Sequence, residues 1–179
     1  ANVPRQHLTG AFVFGEVSAE QAVDSLDRTD KPSIDEAQLR ELEASTFLPL
    51  GGSGKVPLAT FEYKVRRLIN DYAVPPKNHY KLSQAVEWMD RLEKAWKSEV
   101  KVSDFHELGH WNEVGHIITC ARLSALASLE RKESRWGLWH YRSDFPERND
   151  SQWLKHIVVQ KAEDGSAKIT HKPIQGGVL

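Results

Sequence analysis

Apolar residues recur at helical spacing along three consecutive segments in the middle of the 179-residue chain. Residues 57–73 and residues 79–98 each place aliphatic and aromatic side chains on a single stripe. Residues 103–132 continue the pattern, and Ser103 is predicted to cap that helix. Two prolines after Val74 end the first helix, because proline disfavours helical geometry in the residue before it. The pattern therefore predicts a three-helix bundle of the spectrin-repeat kind.

The chain begins with an apolar segment that is predicted to be a helix capped by Thr9. Gly10 and Gly15 would each weaken an isolated helix by about 1 kcal/mol, so they indicate that another element packs closely against it. No strand or core precedes the segment, and we interpret it as the last helix of a domain whose body lies further upstream. Residues 24–34 are polar and predict a linker, whereas residues 34–47 predict a short helix.

The pattern changes after residue 135. Residues 136–153 hold tryptophan, glycine, proline and many charges without a period, which predicts a long ordered loop. Residues 154–161 and 167–172 alternate, and the Asp-Gly pair between them is typical of a small β-hairpin. The predicted fold is therefore mainly α. Its predicted divisions are the terminal helix of an upstream domain (1–25), a linker with a short helix (26–56), the helical bundle (57–135), and the loop with its hairpin tail (136–179).

Charge and composition argue against several classes of protein. The formal net charge is -1, from 24 basic and 25 acidic side chains, so nucleic-acid binding is not expected. No apolar run approaches the roughly 20 residues that span a bilayer, and the N-terminal residues lack the layout of a signal peptide, so direct membrane insertion is not expected. The one cysteine, Cys120, predicts a reducing, cytoplasmic compartment. Its position beside Ile117 and Ala121 predicts a buried structural thiol.

One local histidine pattern is compatible with zinc chemistry. His106 and His110 fit H-E-x-x-H on one helix face, and Glu107 would then activate a zinc-bound water. A third histidine, His116, follows six residues later. A continuous helix would point it to roughly the opposite side from His110, since each residue adds ~100°. The alternative is a helix with partly exposed histidines, and no metal site is predicted.

The most distinctive stretch runs from residue 133 to residue 156. Its candidate binding residues, which lie among aromatic side chains, are Arg135, His140, Tyr141, Arg142 and Arg148. Such a loop can bind an anionic substrate or dock a second domain. Alternatively, its arginines satisfy buried backbone carbonyls and acids of the same loop, such as Asp144 and Glu147.

This stretch resembles the C-terminal domain of the fumarate reductase and succinate dehydrogenase flavoproteins. In that family a long helix ends in Glu-Ser-Arg-Gly-x-His-x-Arg, followed by Asp-x-Pro-Glu-Arg-Asp-Asp and an aromatic residue before Leu-Lys-His. The matching residues are Glu133, Ser134, Arg135, Gly137, His140, Arg142, Asp144, Pro146, Glu147, Arg148, Asp150, Trp153, Leu154, Lys155 and His156. Trp136 precedes the glycine, and this Ser-Arg-Trp variant is more similar to the adenylylsulfate reductase alpha branch. Residues 8–15 also resemble the helix that ends the family's FAD domain.

The resemblance implies an FAD-dependent oxidoreductase that exchanges a hydride or electrons with an anionic substrate. By position, His7, Leu8 and Thr9 would give backbone N–H groups to the flavin. The catalytic residues are expected upstream, so this chain alone would be inactive and would not bind FAD tightly. An upstream FAD-binding domain and an iron–sulfur electron-transfer subunit are the implied partners, and any membrane association would come through partner subunits. Fumarate, succinate and adenylylsulfate stay open as substrates.

Two other classes of function stay open on the sequence alone. A zinc peptidase would use His106, Glu107 and His110, and it would bind one zinc ion. A stand-alone helical interaction domain would bind a protein partner through the tryptophan-rich loop. The flavoprotein hypothesis differs from both because it needs an upstream domain.

Overall fold

The computed structural model describes residues 6–26, 28–31 and 33–174. The chain divides into two compact units, residues 1–43 and residues 44–179. The prediction of a mainly helical fold with a small C-terminal β-hairpin is confirmed. The described helices and strands are α1 (Gln6–Leu26), α2 (Glu36–Phe47), β1 (Val56–Pro57), α3 (Leu58–Tyr72), α4 (His79–Glu99), β2 (Val100–Lys101), α5 (Phe105–Glu130), α6 (Asp150–Trp153), β3 (Lys155–Lys161) and β4 (Ala167–Pro173).

The helix α1 of the first unit exposes many of its apolar side chains. Leu8, Phe12 and Phe14 are between 69% and 73% exposed. The helix begins at Gln6, so Thr9 lies inside it and the prediction that Thr9 caps α1 is wrong. A helix with large apolar side chains exposed in this way lacks the packing that stabilises most protein helices.

The boundary between the two units falls within α2. This helix begins two residues later than residue 34, the predicted start, because Asp35 acts as its N-cap. The Asp35 carboxylate accepts hydrogen bonds from the backbone N–H groups of Ala37 (2.9 Å) and Gln38 (3.1 Å). An aspartate in this position satisfies two of the N–H groups that a helix start leaves unpaired.

The helices α3, α4 and α5 form the predicted bundle in the second unit. Val65 of α3, Leu82 and Met89 of α4, and Val114 and Ile118 of α5 are at most 1% exposed. Burial of each such side chain contributes about 1.5–3 kcal/mol to folding. The apolar stripes recognised in the sequence therefore form the core.

Two sequence predictions about α5 are wrong. Asp104, rather than Ser103, caps the helix, since its carboxylate accepts a hydrogen bond from the Glu107 N–H at 2.8 Å. The Glu107 carboxylate in turn accepts one from the Ser103 N–H at 2.7 Å, which resembles a capping box. Cys120 is exposed, not buried. It lies two residues beyond buried Ile118, which places it about 200° away around the helix.

Two stacked tryptophans join α4 to α5. The rings of Trp96 and Trp111 have centroids 3.8 Å apart and planes at 23°. Each indole N–H donates to the backbone carbonyl of the other residue, at 2.9 Å and 3.2 Å. Gly115 makes this packing possible, because a Cβ at that position would lie 2.4 Å from the Trp96 ring.

Replacing Gly115 by alanine is therefore expected to lower the free energy of unfolding by about 1–3 kcal/mol, because the methyl group would displace the Trp96 ring. Gly109 on the same helix is the matched control. A Cβ there meets no atom within 4 Å, so Gly109→Ala is expected to stabilise by about 0.5–1 kcal/mol through helix propensity. Urea unfolding measures both values, and equal effects of the two substitutions would contradict this packing.

A short parallel pairing of β1 with β2 carries no signal in the sequence. Val56 lies opposite Val100, and the Lys55 N–H donates to the Glu99 carbonyl at 2.9 Å. Gly54 permits this approach, since a Cβ there would lie 2.2 Å from the Val100 carbonyl oxygen. Strands of two residues are too short for a period to be visible.

The C-terminal hairpin is antiparallel, with Val158 of β3 opposite Thr170 of β4. Gly165 in its turn has φ +82°, a conformation that glycine adopts without strain. Strand β3 packs against α5, so the hairpin lies next to the end of the longest helix.

Candidate functional site at the C-terminal end of α5

The loop between α5 and β3 gathers charged side chains around one buried carboxylate. Glu133 is fully buried. Its carboxylate accepts hydrogen bonds from Arg131 (2.7 Å), from Arg135 (2.7 Å and 3.1 Å) and from the Asn149 N–H (2.8 Å). Burial alone would raise the pKa of Glu133, but the bonds from Arg135, Asn149 and Arg131 outweigh it, so the pKa lies below the ordinary value. Glu133 is therefore ionised and holds the loop together.

Arg142 is a buried side chain that closes the end of α5. Its Nη1 donates to the backbone carbonyls of Ser128 (2.5 Å), Leu129 (3.3 Å) and Arg131 (3.0 Å). The rest of the guanidinium binds both carboxylate oxygens of Asp144, at 2.8 Å and 2.7 Å. These bonds are the main cause that lowers the pKa of Asp144 to about 2. Because the last carbonyls of a helix lack intrahelical partners, Arg142 acts as the cap of α5.

Lys77 connects the same loop to the segment between α3 and α4. Its buried Nζ donates to the Ser128 hydroxyl at 3.0 Å. Its backbone N–H donates to the Tyr141 carbonyl (2.9 Å), and its carbonyl accepts from the Ser143 N–H (2.8 Å). Burial, and then the charge of Arg142, lower the pKa of the Lys77 ammonium.

His140 is a titratable group of this cluster, and one of its ring nitrogens has no hydrogen-bond partner among the described residues. This nitrogen, Nε2, is buried. Burial, followed by the charges of Lys77, Arg131 and Arg142, lowers the pKa of His140 to about 4. The imidazole is therefore neutral at pH 7.

A pocket of about 420 Å³ lies beside this cluster, between the end of α5 and the start of β3. Arg131, Arg135 and His140 contribute to its lining, together with Trp153 and Lys155. Lys155 Nζ lies 4.8 Å from the centroid of the Trp153 ring. A concave site with basic groups and aromatic walls has the general character of a small-ligand pocket.

The tip of the loop presents three large apolar side chains to solvent. Trp136, Leu138 and Trp139 are between 78% and 83% exposed. Trp136 has φ 63° and Gly137 has φ 59°. A tryptophan in the left-handed region is strained, and such strain is concentrated at functional positions.

The structure brings together three of the five candidate loop residues. Arg135, His140 and Arg142 belong to the buried cluster, whereas Arg148 is exposed and pairs with Asp150 at 2.6 Å. The arginines bind backbone carbonyls and acids of the loop. For Asp144, this is the alternative to ligand binding that the sequence left open. Tyr141 contributes its backbone carbonyl to Lys77. A role of these residues in anion binding or domain docking stays a prediction.

Three residues of this cluster, Glu133, Lys77 and Ser128, are not among the candidate binding residues that the sequence predicts. Glu133 matches the family pattern, but only its position between Arg131 and Arg135 could have indicated a buried acid. Lys77 and Ser128 are 51 residues apart, and no local pattern links a lysine of one helix connection to a serine of another helix.

The predicted flavin contacts His7, Leu8 and Thr9 lie in the first described turn of α1. The Leu8 side chain is 69% exposed. No ligand contact of these residues is described, so their role stays a prediction.

The surroundings of the α5 histidines differ from those of a zinc site. His110 Nε2 lies 3.0 Å from a Glu62 carboxylate oxygen, and Glu107 is used in the helix cap. His106 and His116 are exposed. Across the described part of the chain, no three His, Cys, Asp or Glu side chains are grouped so that they could hold a metal ion.

The second unit is a mainly helical domain, in which a three-helix bundle is followed by an arginine-rich loop and a β-hairpin. The sequence model of one family, described as fumarate reductase flavoprotein C-term, matches residues 62–178. The chain therefore belongs to the family of C-terminal domains of fumarate reductase and succinate dehydrogenase flavoproteins.

Individual relatives agree with this family. The chain is 26% identical over 176 residues to the succinate dehydrogenase flavoprotein subunit of Rickettsia bellii, covering 93% of this chain and 28% of that protein. The structure is similar to adenylylsulfate reductase of Archaeoglobus fulgidus (TM-score 0.84, 24% identity, 94% of this chain and 29% of that one). It is also similar to E. coli quinol fumarate reductase (TM-score 0.81, 22% identity, 93% and 30%). The chain thus spans less than a third of each of these proteins.

Proposed function

We propose that this chain is the C-terminal part of an FAD-dependent oxidoreductase subunit and that it covers the FAD domain of the full-length protein. The observation that carries the proposal is the family match over residues 62–178. The exposed apolar side chains of α1, among them Phe12 and Phe14, support it. Apolar surface of this kind marks an interface, and an upstream FAD domain would bury it.

The first turn of α1 fits a role in holding the flavin. Backbone N–H groups at a helix start have no intrahelical acceptors, and the helix dipole favours negative charge there. The backbone at His7, Leu8 and Thr9 would bind and orient the flavin edge on which negative charge develops. When bound, FAD supplies the transfer of a hydride or an electron pair.

The arginine-rich loop is proposed to dock near the same upstream domain. Arg135 and Arg142 hold the loop rigid from within through Glu133 and Asp144. The exposed tip around Trp136 and Trp139 would then meet the docking surface, with His140, Tyr141 and Arg148 at its margin. The substrate would be a small oxidised or reduced anion of the class that the relatives' names describe, such as fumarate or succinate.

Partners and location follow from the same proposal. Electrons would leave through an iron–sulfur subunit. None of the helices in the described part of the chain is long and apolar enough to cross a membrane. We propose a cytoplasmic protein whose membrane association, where present, comes through partner subunits.

The native gene product tests the proposal. An antibody against residues 44–179 is expected to capture a polypeptide more than three times as long as this chain, as the 28% coverage of the Rickettsia relative indicates. That polypeptide should carry FAD, visible as yellow flavin absorption. The isolated 179-residue chain mixed with FAD is the control, and it should form no tight complex. A native polypeptide of only 179 residues, or a tight stoichiometric complex of the isolated chain with FAD, would contradict the proposal.

A further inference from the structure

The pocket beside Glu133 is lined by basic groups and by no acidic side chain among its described lining residues. The cationic members are Arg131, Arg135 and Lys155, and His140 and His156 add two imidazoles. The carboxylate of Glu133 is fully buried and does not line the pocket. Glu133 and Asp150 offset the charges of Arg131 and Arg135, so Lys155 supplies the remaining positive charge, which favours an anionic ligand at a concave site.

Several polar atoms at this pocket have no hydrogen-bond partner in the part of the chain that the structure describes. Lys155 Nζ has a cation–π contact with Trp153 and no hydrogen bond to a described residue. Arg135 uses Nε and Nη2 for Glu133 and Asp150, while its Nη1 donates to no described residue. His140 Nε2 is buried without a partner. Buried polar atoms in folded proteins nearly always have a partner, so His140 Nε2 indicates that a ligand completes this pocket, and Lys155 Nζ and Arg135 Nη1 supply further donors for it.

Apart from Ser124 and Ser128, the remaining walls are apolar, which limits the kind of anion. Ile157, Ile174 and Leu154 line the pocket together with the rings of Trp136 and Trp153. The volume of about 420 Å³ lies within the range of small-molecule sites. An inorganic ion would leave these walls without contacts, whereas an organic anion would bury its apolar part against them.

We propose that this pocket binds a small organic carboxylate. Its carboxylate accepts hydrogen bonds from Lys155 Nζ and Arg135 Nη1, and its apolar body packs on Trp153 and Ile157. Charge-assisted bonds of this kind are among the strongest in proteins. The residues of this pocket are different from the proposed flavin contacts at α1, and the proposal does not depend on the proposed function.

Titration of the purified chain with phenylacetate tests the proposal, with phenylacetamide as its neutral counterpart and inorganic phosphate as an anion without an apolar body. Phenylacetate is expected to bind saturably, and to shift the ¹⁵N resonances of the His140 imidazole and the methyl resonances of Ile157. Phenylacetamide and phosphate are each expected to bind about tenfold or more weakly, since each lacks one of the two recognition elements.

Variants on one strand supply the matched control. Lys155→Gln is expected to weaken phenylacetate binding about tenfold, because it removes one charge-assisted hydrogen bond. Lys161→Gln removes the same charge from the exposed far end of β3 and should leave binding unchanged. Absence of saturable phenylacetate binding to the unmodified chain would overturn the proposal. Equal binding of phosphate and phenylacetate, or equal effects of the two lysine variants, would overturn it as well.

Discussion

Replacing Arg142 by methionine is expected to lower the free energy of unfolding by about 3–5 kcal/mol, although methionine keeps much of the side-chain volume. The loss leaves the carbonyls of Ser128, Leu129 and Arg131 without their donor at the end of α5. It also leaves Asp144 without the guanidinium that binds both its oxygens. Removal of the buried Arg142 donor is costly because the carbonyls at the helix end lose their partner, whereas Asp144, whose side chain is 26% exposed, can be hydrated instead. Urea unfolding measures the difference.

Arg148→Met is the control for this substitution. Arg148 belongs to the same loop and pairs with Asp150, but its side chain is 62% exposed, so little change in stability is expected. A second measurement separates the ion pair from general loss of packing. The pKa of Asp144, about 2 in the unmodified protein, should rise towards its ordinary value in Arg142→Met. An unshifted Asp144, or equal destabilisation by both substitutions, would contradict the capping role.

The sequence predicted those parts of the fold in which apolar residues recur with a clear helical period. The stripes of α3, α4 and α5 are long enough to show the helical period over three or more turns, and Val65, Met89 and Ile118, which lie within the predicted helices, are buried. Helix ends depend on which of two adjacent polar residues adopts the cap geometry, so Ser103 was predicted where Asp104 acts. The pairing of β1 with β2 depends on a close backbone approach at Gly54, which no local pattern reveals.

In the candidate site, too, some features could be predicted from the sequence and others could not. Its arginines could be located from the family pattern of residues 133–156, because the loop is contiguous in the sequence. Asp144 is the one partner that the sequence-based alternative names correctly. The sequence could not decide between a ligand and a helix end as the other partner of an arginine, because burial makes that difference. Arg142 is 1% exposed and is used within the protein, whereas Lys155 on the next strand keeps a free ammonium. Lys77 joins the cluster from a helix connection 51 residues before its partner Ser128.

Replacing Glu133 by glutamine is expected to lower the free energy of unfolding at pH 7 by about 3 kcal/mol. Glutamine has nearly the same shape but no charge, so Arg131 would remain partly buried without a counter-ion and Arg135 would keep only Asp150. The amide group would also place N–H groups where an acceptor for the Asn149 N–H or for Arg135 is required. Denaturant unfolding at several pH values measures the effect.

The pH dependence distinguishes the lost charge from a packing defect. The folded pKa of Glu133 lies below its ordinary value of 4.5, because its hydrogen bonds outweigh burial. Its contribution to stability is therefore complete above pH 4.5 and disappears as the pH falls through the lowered folded value. The difference between the unmodified protein and Glu133→Gln should shrink in that acidic range, where the unmodified protein loses the same charge. Glu147→Gln, an exposed acid of the same loop, should cause little change at either pH. A cost of Glu133→Gln that stays constant from pH 7 down through this range would contradict an ionised Glu133 at the centre of the loop.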